Sequence, residues 1–447
     1  MNYGIGSLLN RNRVYSSCVK SVRIGSGVPS LYDSTFSYCV NLEYVTLTSR
    51  ISGALGISIF YYCYSLKSIT IPSGVTLIGG NMFSYCLSIK SISLPKSVVS
   101  IKSSVFSSCH LLESISLPCD LTEIGNSSFS YCESITSVYI PNDVTSISDS
   151  LFTYCSNLES VSISNNATSI GITTFSYCMS LKSIDIPNNV ETIGHGAFQS
   201  CYNLGYVKLP NKLTSIEYNT FNYCYSLRTI VVPDAITNIS YGAFYNCQSL
   251  LTFNMPSSLK TIGYNAFYSC FSLKSITLPD TLTSIGYGAF QNCRSLESIN
   301  IPSKITTIEK NTFNSCFFLK SVIMANGVTN IAENAFNACY SLKSITLSDN
   351  LISIGDMVFI NDYLITTITI PSSVTSIGQN AFSSCVGVME YHVKPTQVPT
   401  AGTTIFSNIS SGSVIYVPYS ADHSILNAYK TATNWSVYAS YIQEEPQ

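Results

Sequence analysis

Charge is what this chain has least of. Only 10% of its 447 residues are Asp, Glu, Lys or Arg, against about 25% in an average soluble protein. The 22 basic and 24 acidic side chains nearly cancel, to a net charge of −2. Without a basic surplus or a block of like charge, nucleic acid and anionic membrane surfaces are not expected partners. The first twenty residues, MNYGIGSLLNRNRVYSSCVK, lack the charged start, long apolar core and small-residue cleavage site of a secretory signal. No run approaches the ~18–20 consecutive apolar residues that cross a bilayer, so no direct membrane insertion is expected.

What the chain has is a beat. From Phe60 the phenylalanines at 83, 106, 129, 152, 175, 198, 221, 244, 267, 290, 313, 336, 359 and 382 follow one another at intervals of 23 residues, and Phe36 precedes them at 24. Each is followed three residues later by cysteine, except that Asp362 stands after Phe359; Cys119 lies outside the column. One unit is LKSITIPSGVTLIGGNMFSYCLS, residues 66–88, whose apolar positions Leu66, Ile69, Ile71, Val75, Ile78, Phe83 and Cys86 form one slice of core. Leu-x-x-Ile-x-Ile-Pro reads as a strand ended by proline. Val-x-x-Ile-Gly reads as a second short extended piece, and Ala-Phe-x-x-Cys as one helical or 3₁₀ turn. Such a coil buries its faces only by stacking on neighbours.

Few residues point to chemistry. Cysteines stacked ~4.8 Å apart hold their β-carbons too far apart for disulfides, so reduced, buried thiols are expected. There is no Cys-x-x-Cys, and His110, His195, His392 and His423 share no column, which speaks against a metal ladder. No histidine is placed by the repeat beside a serine and an acid, and the carboxylates are scattered one per coil. Gly4-Ile5-Gly6 sits at the chain start with no βα unit around it. Neither a catalytic residue nor a cofactor is expected.

Lines such as LKSITLPDTLTSIGYGAFQNCRSLESINIP resemble the BspA-like leucine-rich-repeat family, the Treponema pallidum-type 23-residue repeat, with its Ile-Pro, Ser-Ile-Gly and Ala-Phe-x-x-Cys wording. The resemblance covers roughly residues 20–390, and residues 412–442 look like a tail that closes bacterial members. It implies a non-catalytic recognition protein at the cell surface or outside the cell, adhesin-like, binding a protein or glycan. The missing signal motivates an alternative: a structural or receptor-binding component of a bacteriophage virion or another assembly.

The fold expected is an α/β repeat solenoid: a right-handed leucine-rich-repeat coil with a continuous parallel sheet and short helical or 3₁₀ turns. Residues 1–20 would be a partial N-terminal coil or cap, 21–390 about sixteen coils, and 391–447 a C-terminal cap with Trp435 packed inside. Outward strand positions form the ligand surface. One column is a hydroxyl ladder broken at Tyr206; the next departs from Ser and Thr at Tyr139, Asp185, Lys208, Val231 and Asn254. These six residues form one candidate patch, with tyrosine as the contact-rich element. A second candidate is the rim column Tyr218, Tyr241, Tyr264 and Tyr287, whose rings are expected to stack between coils. Lys67, Lys90, Glu113, Glu159, Lys182, Arg228, Lys274, Glu297, Lys320 and Lys343 mix signs down another column, as solvation and register control require.

Overall fold

The structure, a computed structural model, describes residues 19–447; the expectation for the first coil falls almost wholly outside that range. The chain divides into two compact units, 1–231 and 232–447, each a β-solenoid of stacked coils. All seven inward positions of the unit at 66–88 are buried, Leu66, Val75, Ile78, Phe83 and Cys86 completely. The phenylalanines stack into a spine: Phe83, Phe106 and Phe129 lie 5.6 and 5.5 Å apart with rings nearly parallel.

Three sets of hydrogen bonds join successive coils. The first is a parallel ladder of short strands such as Ser137–Tyr139 on Ser160–Ser162 and, in the second unit, Ser298–Ile301 on Ser321–Met324. It is interrupted into short sheets rather than continuous. Val-x-x-Ile builds the second parallel ladder, through pairs such as Ser146–Ile147 on Ser169–Ile170.

The third set occupies the turn, where a helical or 3₁₀ conformation was expected. The i→i−3 bonds are present, for example Tyr61 N to Ser58 O and Cys63 N to Phe60 O. They do not propagate, because Ser58 and Tyr62 have φ of 56° and 61°, which ends a right-handed helix. The alternate amides of Ser58, Phe60 and Tyr62 donate instead to Gly80, Met82 and Ser84 of the next coil at 2.9–3.0 Å. Among the described residues the only α-helix is Ser424–Thr431.

Among the described residues the cysteines are free thiols, buried except for Cys119. They are more than small apolar fillers: Cys63 Sγ donates to Phe36 O at 3.1 Å and Cys155 Sγ to Phe129 O at 3.0 Å, a pattern repeated coil after coil. At the far end the phenylalanine stack runs one coil beyond Phe382, to Phe406; a step of 24 residues and a missing cysteine hide it in the sequence. Trp435 and Tyr438 pack against Phe406 in place of another coil. Trp435 is fully buried, with Nε1 donating to Pro399 O at 2.9 Å.

Candidate functional site

Alternation along each three-residue strand decides which side chains are offered to a ligand. In Ser137–Tyr139 the middle residue, Val138, points into the core while Ser137 and Tyr139 are exposed. Parallel pairing then builds columns by arithmetic: Tyr139 lies opposite Ser162, and Asp185 opposite Lys208, which lies opposite Val231. Ser183 and Thr229 flank Tyr206 in the neighbouring column. Tyr139, Tyr206 and Val231 are 57, 43 and 46% exposed, large side chains left in water on a face otherwise made of hydroxyls.

The small Ser162 between Tyr139 and Asp185 leaves a hollow. A cleft of ≈ 550 Å³ opens there, lined by Tyr139, Ser160, Ser162, Asn165, Asp185 and Pro187. Tyr206, Lys208 and Val231 lie on the same face beyond it. Asn254 belongs to the second unit and lines a separate hollow of ≈ 350 Å³ with Thr252, Phe253 and Met255. Elsewhere in the unit, opposite charges carried by neighbouring coils pair, as Lys67 with Glu43 at 2.6 Å and Lys182 with Glu159 at 3.2 Å. Among the described residues no ion pair joins Asp185 to Lys208, although they are register partners. An acid, an ammonium and two tyrosines are therefore free to meet hydrogen-bonding groups.

The rim tyrosines do not behave as expected. Tyr218 stacks on His195, at 5.0 Å and 16°. In the second unit, Tyr241, Tyr264 and Tyr287 make no ring contacts with one another among the described residues. For Tyr264 the glycine of the next coil gives the reason: its Cδ1 sits 2.5 Å from where a β-carbon on Gly286 would be, so the ring lies over backbone instead of over Tyr287. The Tyr287 hydroxyl accepts the Asn311 amide at 2.8 Å.

A different tyrosine column, unforeseen from the sequence, occupies the turn face of the first unit. Tyr38, Tyr62, Tyr85, Tyr131, Tyr154, Tyr177 and Tyr223 each precede a buried cysteine, with φ of 59–65°, and serine stands in their place at 108 and 200. A left-handed conformation costs a bulky residue about 1–3 kcal/mol, and such strain collects at functional positions. The second unit places Asn246, Ser269, Asn292, Ser315, Ala338, Asn361 and Ser384 there. The tyrosine rings stack at 5.1 Å (38–62), 4.3 Å (62–85), 4.6 Å (131–154) and 4.3 Å (154–177), within 9° of parallel. Hydrogen bonding to Tyr61, aided by desolvation, pushes the Tyr62 hydroxyl well above its usual range. The sequence signal was Phe-x-Tyr-Cys, legible once the turn is known to expose that residue.

The family model for the BspA type leucine-rich repeat region matches residues 11–111, 145–274 and 260–389. The chain belongs to the BspA-type leucine-rich-repeat family. Among solved structures it is similar to a leucine-rich repeat protein from Bacteroides ovatus, with 26% identity, TM-score 0.65, and coverage of 90% of this chain and 94% of that one. It also matches a leucine rich cell surface protein from Faecalibacterium prausnitzii (26% identity, TM-score 0.41, 81% and 90% covered). The T. pallidum leucine rich repeat protein matches at 29% identity and TM-score 0.34, over 42% of this chain and 78% of that one. No curated protein matches. This BspA-type chain is a repeat scaffold, and no helix among its described residues is long and apolar enough to cross a membrane.

Proposed function

We propose that the sheet face of the first unit holds a protein or glycan ligand at the cell surface, by an adhesin-like mechanism without catalysis. The observation that carries this reading is the cleft between Tyr139 and Asp185, continued by Tyr206 and Lys208. Two aromatic anchors supply contact area, and the unpaired charges fix orientation. Family membership supports a recognition role but names no ligand. The surface location rests on the family resemblance.

The test is binding of the pure chain to an array of matrix proteins and glycans, alongside a variant carrying Tyr139→Ser, Tyr206→Ser and Lys208→Ser. Saturable binding lost in the variant supports the sheet-face site. Binding that survives the three changes moves the site elsewhere, and a chain that binds nothing on the array favours the assembly role.

A further inference from the structure

We infer that the turn face of the first unit carries a second site, a slot for a single pyranose ring between Tyr85 and Tyr131. It does not rest on the sheet-face reading. The tyrosine column of the first unit is interrupted at Ser108 and again at Ser200. Beside Ser200 the residue after the cysteine is another tyrosine, Tyr202, whereas beside Ser108 it is not, and at Ser108 the backbone passes through the interruption unchanged. The amides of Tyr85, Ser108 and Tyr131 each donate to the next coil at 2.8 Å, to Ser107, Ser130 and Thr153. Ser108 has φ of 60°, like the tyrosines on either side. At Ser108 one ring is thus missing from the stack, leaving the inner faces of Tyr85 and Tyr131 two coil steps apart. Tyr131, which opens the second stack, is 42% exposed.

The width limits the ligand to a single ring. Two steps of ~4.8 Å put the walls about 9–10 Å apart. A van der Waals contact of about 3.5–4.0 Å on each side takes up 7–8 Å of that. The remaining ~2 Å holds one ring: flat tyrosines stack one step apart elsewhere in the column at 4.3–5.1 Å, a puckered chair fits the same gap, and the polar groups at its edge decide between them. The walls suit a chair chemically as well, since the electron-rich ring faces attract the C–H groups on the two faces of a pyranose. The floor is Ser108, 6% exposed; Ser269 and Ala338, which have no tyrosine neighbours in the column, are as deeply set at 4 and 7%, so the floor is firm by construction.

Polar groups stand where sugar hydroxyls would emerge. In the coil of Tyr62, the residue after the cysteine, Tyr64, lies against the ring before it, at 5.5 Å. The corresponding residue beside Ser108 is His110. Its Nδ1 is 3.9 Å from Glu133 Oε1, with both side chains about half exposed. Ser107 and Ser130, which precede Ser108 and Tyr131, share a hydroxyl–hydroxyl hydrogen bond at 3.0 Å. Aromatic walls, a carboxylate, an imidazole and hydroxyls together match a neutral hexopyranose within a glycan.

The full chain would be titrated with methyl β-D-glucopyranoside, methyl β-D-galactopyranoside and N-acetylglucosamine, with indole as the flat competitor, followed by saturation-transfer NMR. Ser108→Tyr restores the missing ring with the residue its neighbours already carry, so it fills the slot without demanding a new backbone. The expected result is millimolar binding of at least one pyranoside, weakened at least about tenfold by Ser108→Tyr and unchanged by the sheet-face triple variant. Saturable binding that Ser108→Tyr leaves intact would overturn the slot. So would the absence of binding by all three sugars, and indole binding tighter than every pyranoside would overturn the assignment to a sugar.

Discussion

Asp362 stands in the cysteine column, where a carboxyl meets surroundings built for a thiol. In the following coil Cys385 Sγ donates to Phe359 O at 3.0 Å. Asp362 is fully buried; its Oδ1 accepts the Cys339 N–H at 2.8 Å and its Oδ2 has no hydrogen-bond partner. Burial pushes this carboxyl well above the usual carboxylate range, opposed only in part by the Cys339 amide. The sign follows from linkage. Below about pH 4 folded and unfolded chains both hold the proton. As pH rises, the unfolded carboxyl ionises and the folded one does not, so stability falls by about 1.4 kcal/mol per pH unit until the folded group ionises too. Asp362→Cys removes the titration and restores a donor toward the Phe336 carbonyl.

The variant should therefore match the wild type to within about 1 kcal/mol near pH 4. It should exceed it increasingly toward neutrality, by up to about 3–5 kcal/mol, the usual cost of a buried charge without a partner. Trp435, the sole tryptophan, is buried in the same unit, so its fluorescence in urea titrations at several pH values reads the relevant transition. Asp362→Asn, neutral throughout, should show the same growth with pH from a different baseline. A stability difference that stays constant between pH 4 and 7 would refute the reasoning.

Thiol chemistry offers a second check. Burial raises the thiols of Cys39 to about 11 and of Cys109 to about 12, so of the sixteen described cysteines only the exposed Cys119 should react with a thiol reagent at pH 8 before unfolding. Because the unfolded thiols ionise near pH 9 while the buried ones keep their protons, stability should fall as pH rises above 9. In the spine, Phe152 stacks between Phe129 and Phe175 at 5.5 and 5.6 Å. Phe152→Ala should cost about 3–5 kcal/mol and lower hydrogen-exchange protection most in its own and adjoining coils, whereas a uniform loss across the first unit would contradict nearest-neighbour coupling.

Much of the fold was legible because the repeat is its own alignment: a residue buried in one coil is buried in the next, and the inward set at 66–88 was read correctly from periodicity. The turn was harder. Ala-Phe-x-x-Cys has the composition of a helical turn, and nothing in Ser58 or Tyr62 announces a left-handed backbone as glycine would. The thiol's partner was equally hidden, since sequence conveys size and polarity but not which carbonyl is left without a donor. Asp362 was the clue, because an acid is a poor substitute for an apolar filler. On the sheet face, a 23-residue offset in parallel register places Tyr139, Ser162 and Asp185 in one column by counting alone. Counting could not reveal that Asp185 and Lys208 leave each other unpaired, or that Gly286 takes the ring of Tyr264.

A translationally repeated surface presents the same groups every ~4.8 Å, so its consensus cannot mark one place over another. Only departures can. On the sheet face the departure is a tyrosine and an acid in a field of hydroxyls; on the turn face it is serine in a field of tyrosines, beside a histidine at Ser108 and beside a further tyrosine at Ser200. Tyr131 and Tyr139 belong to one coil, yet one edges the turn and the other the strand. Their contacts share no side chain among those named at the two sites, so substitutions at Ser108 and at Tyr139 should act additively. That separation gives the two sites independent tests, and makes a ligand that loses affinity equally to both changes incompatible with the arrangement.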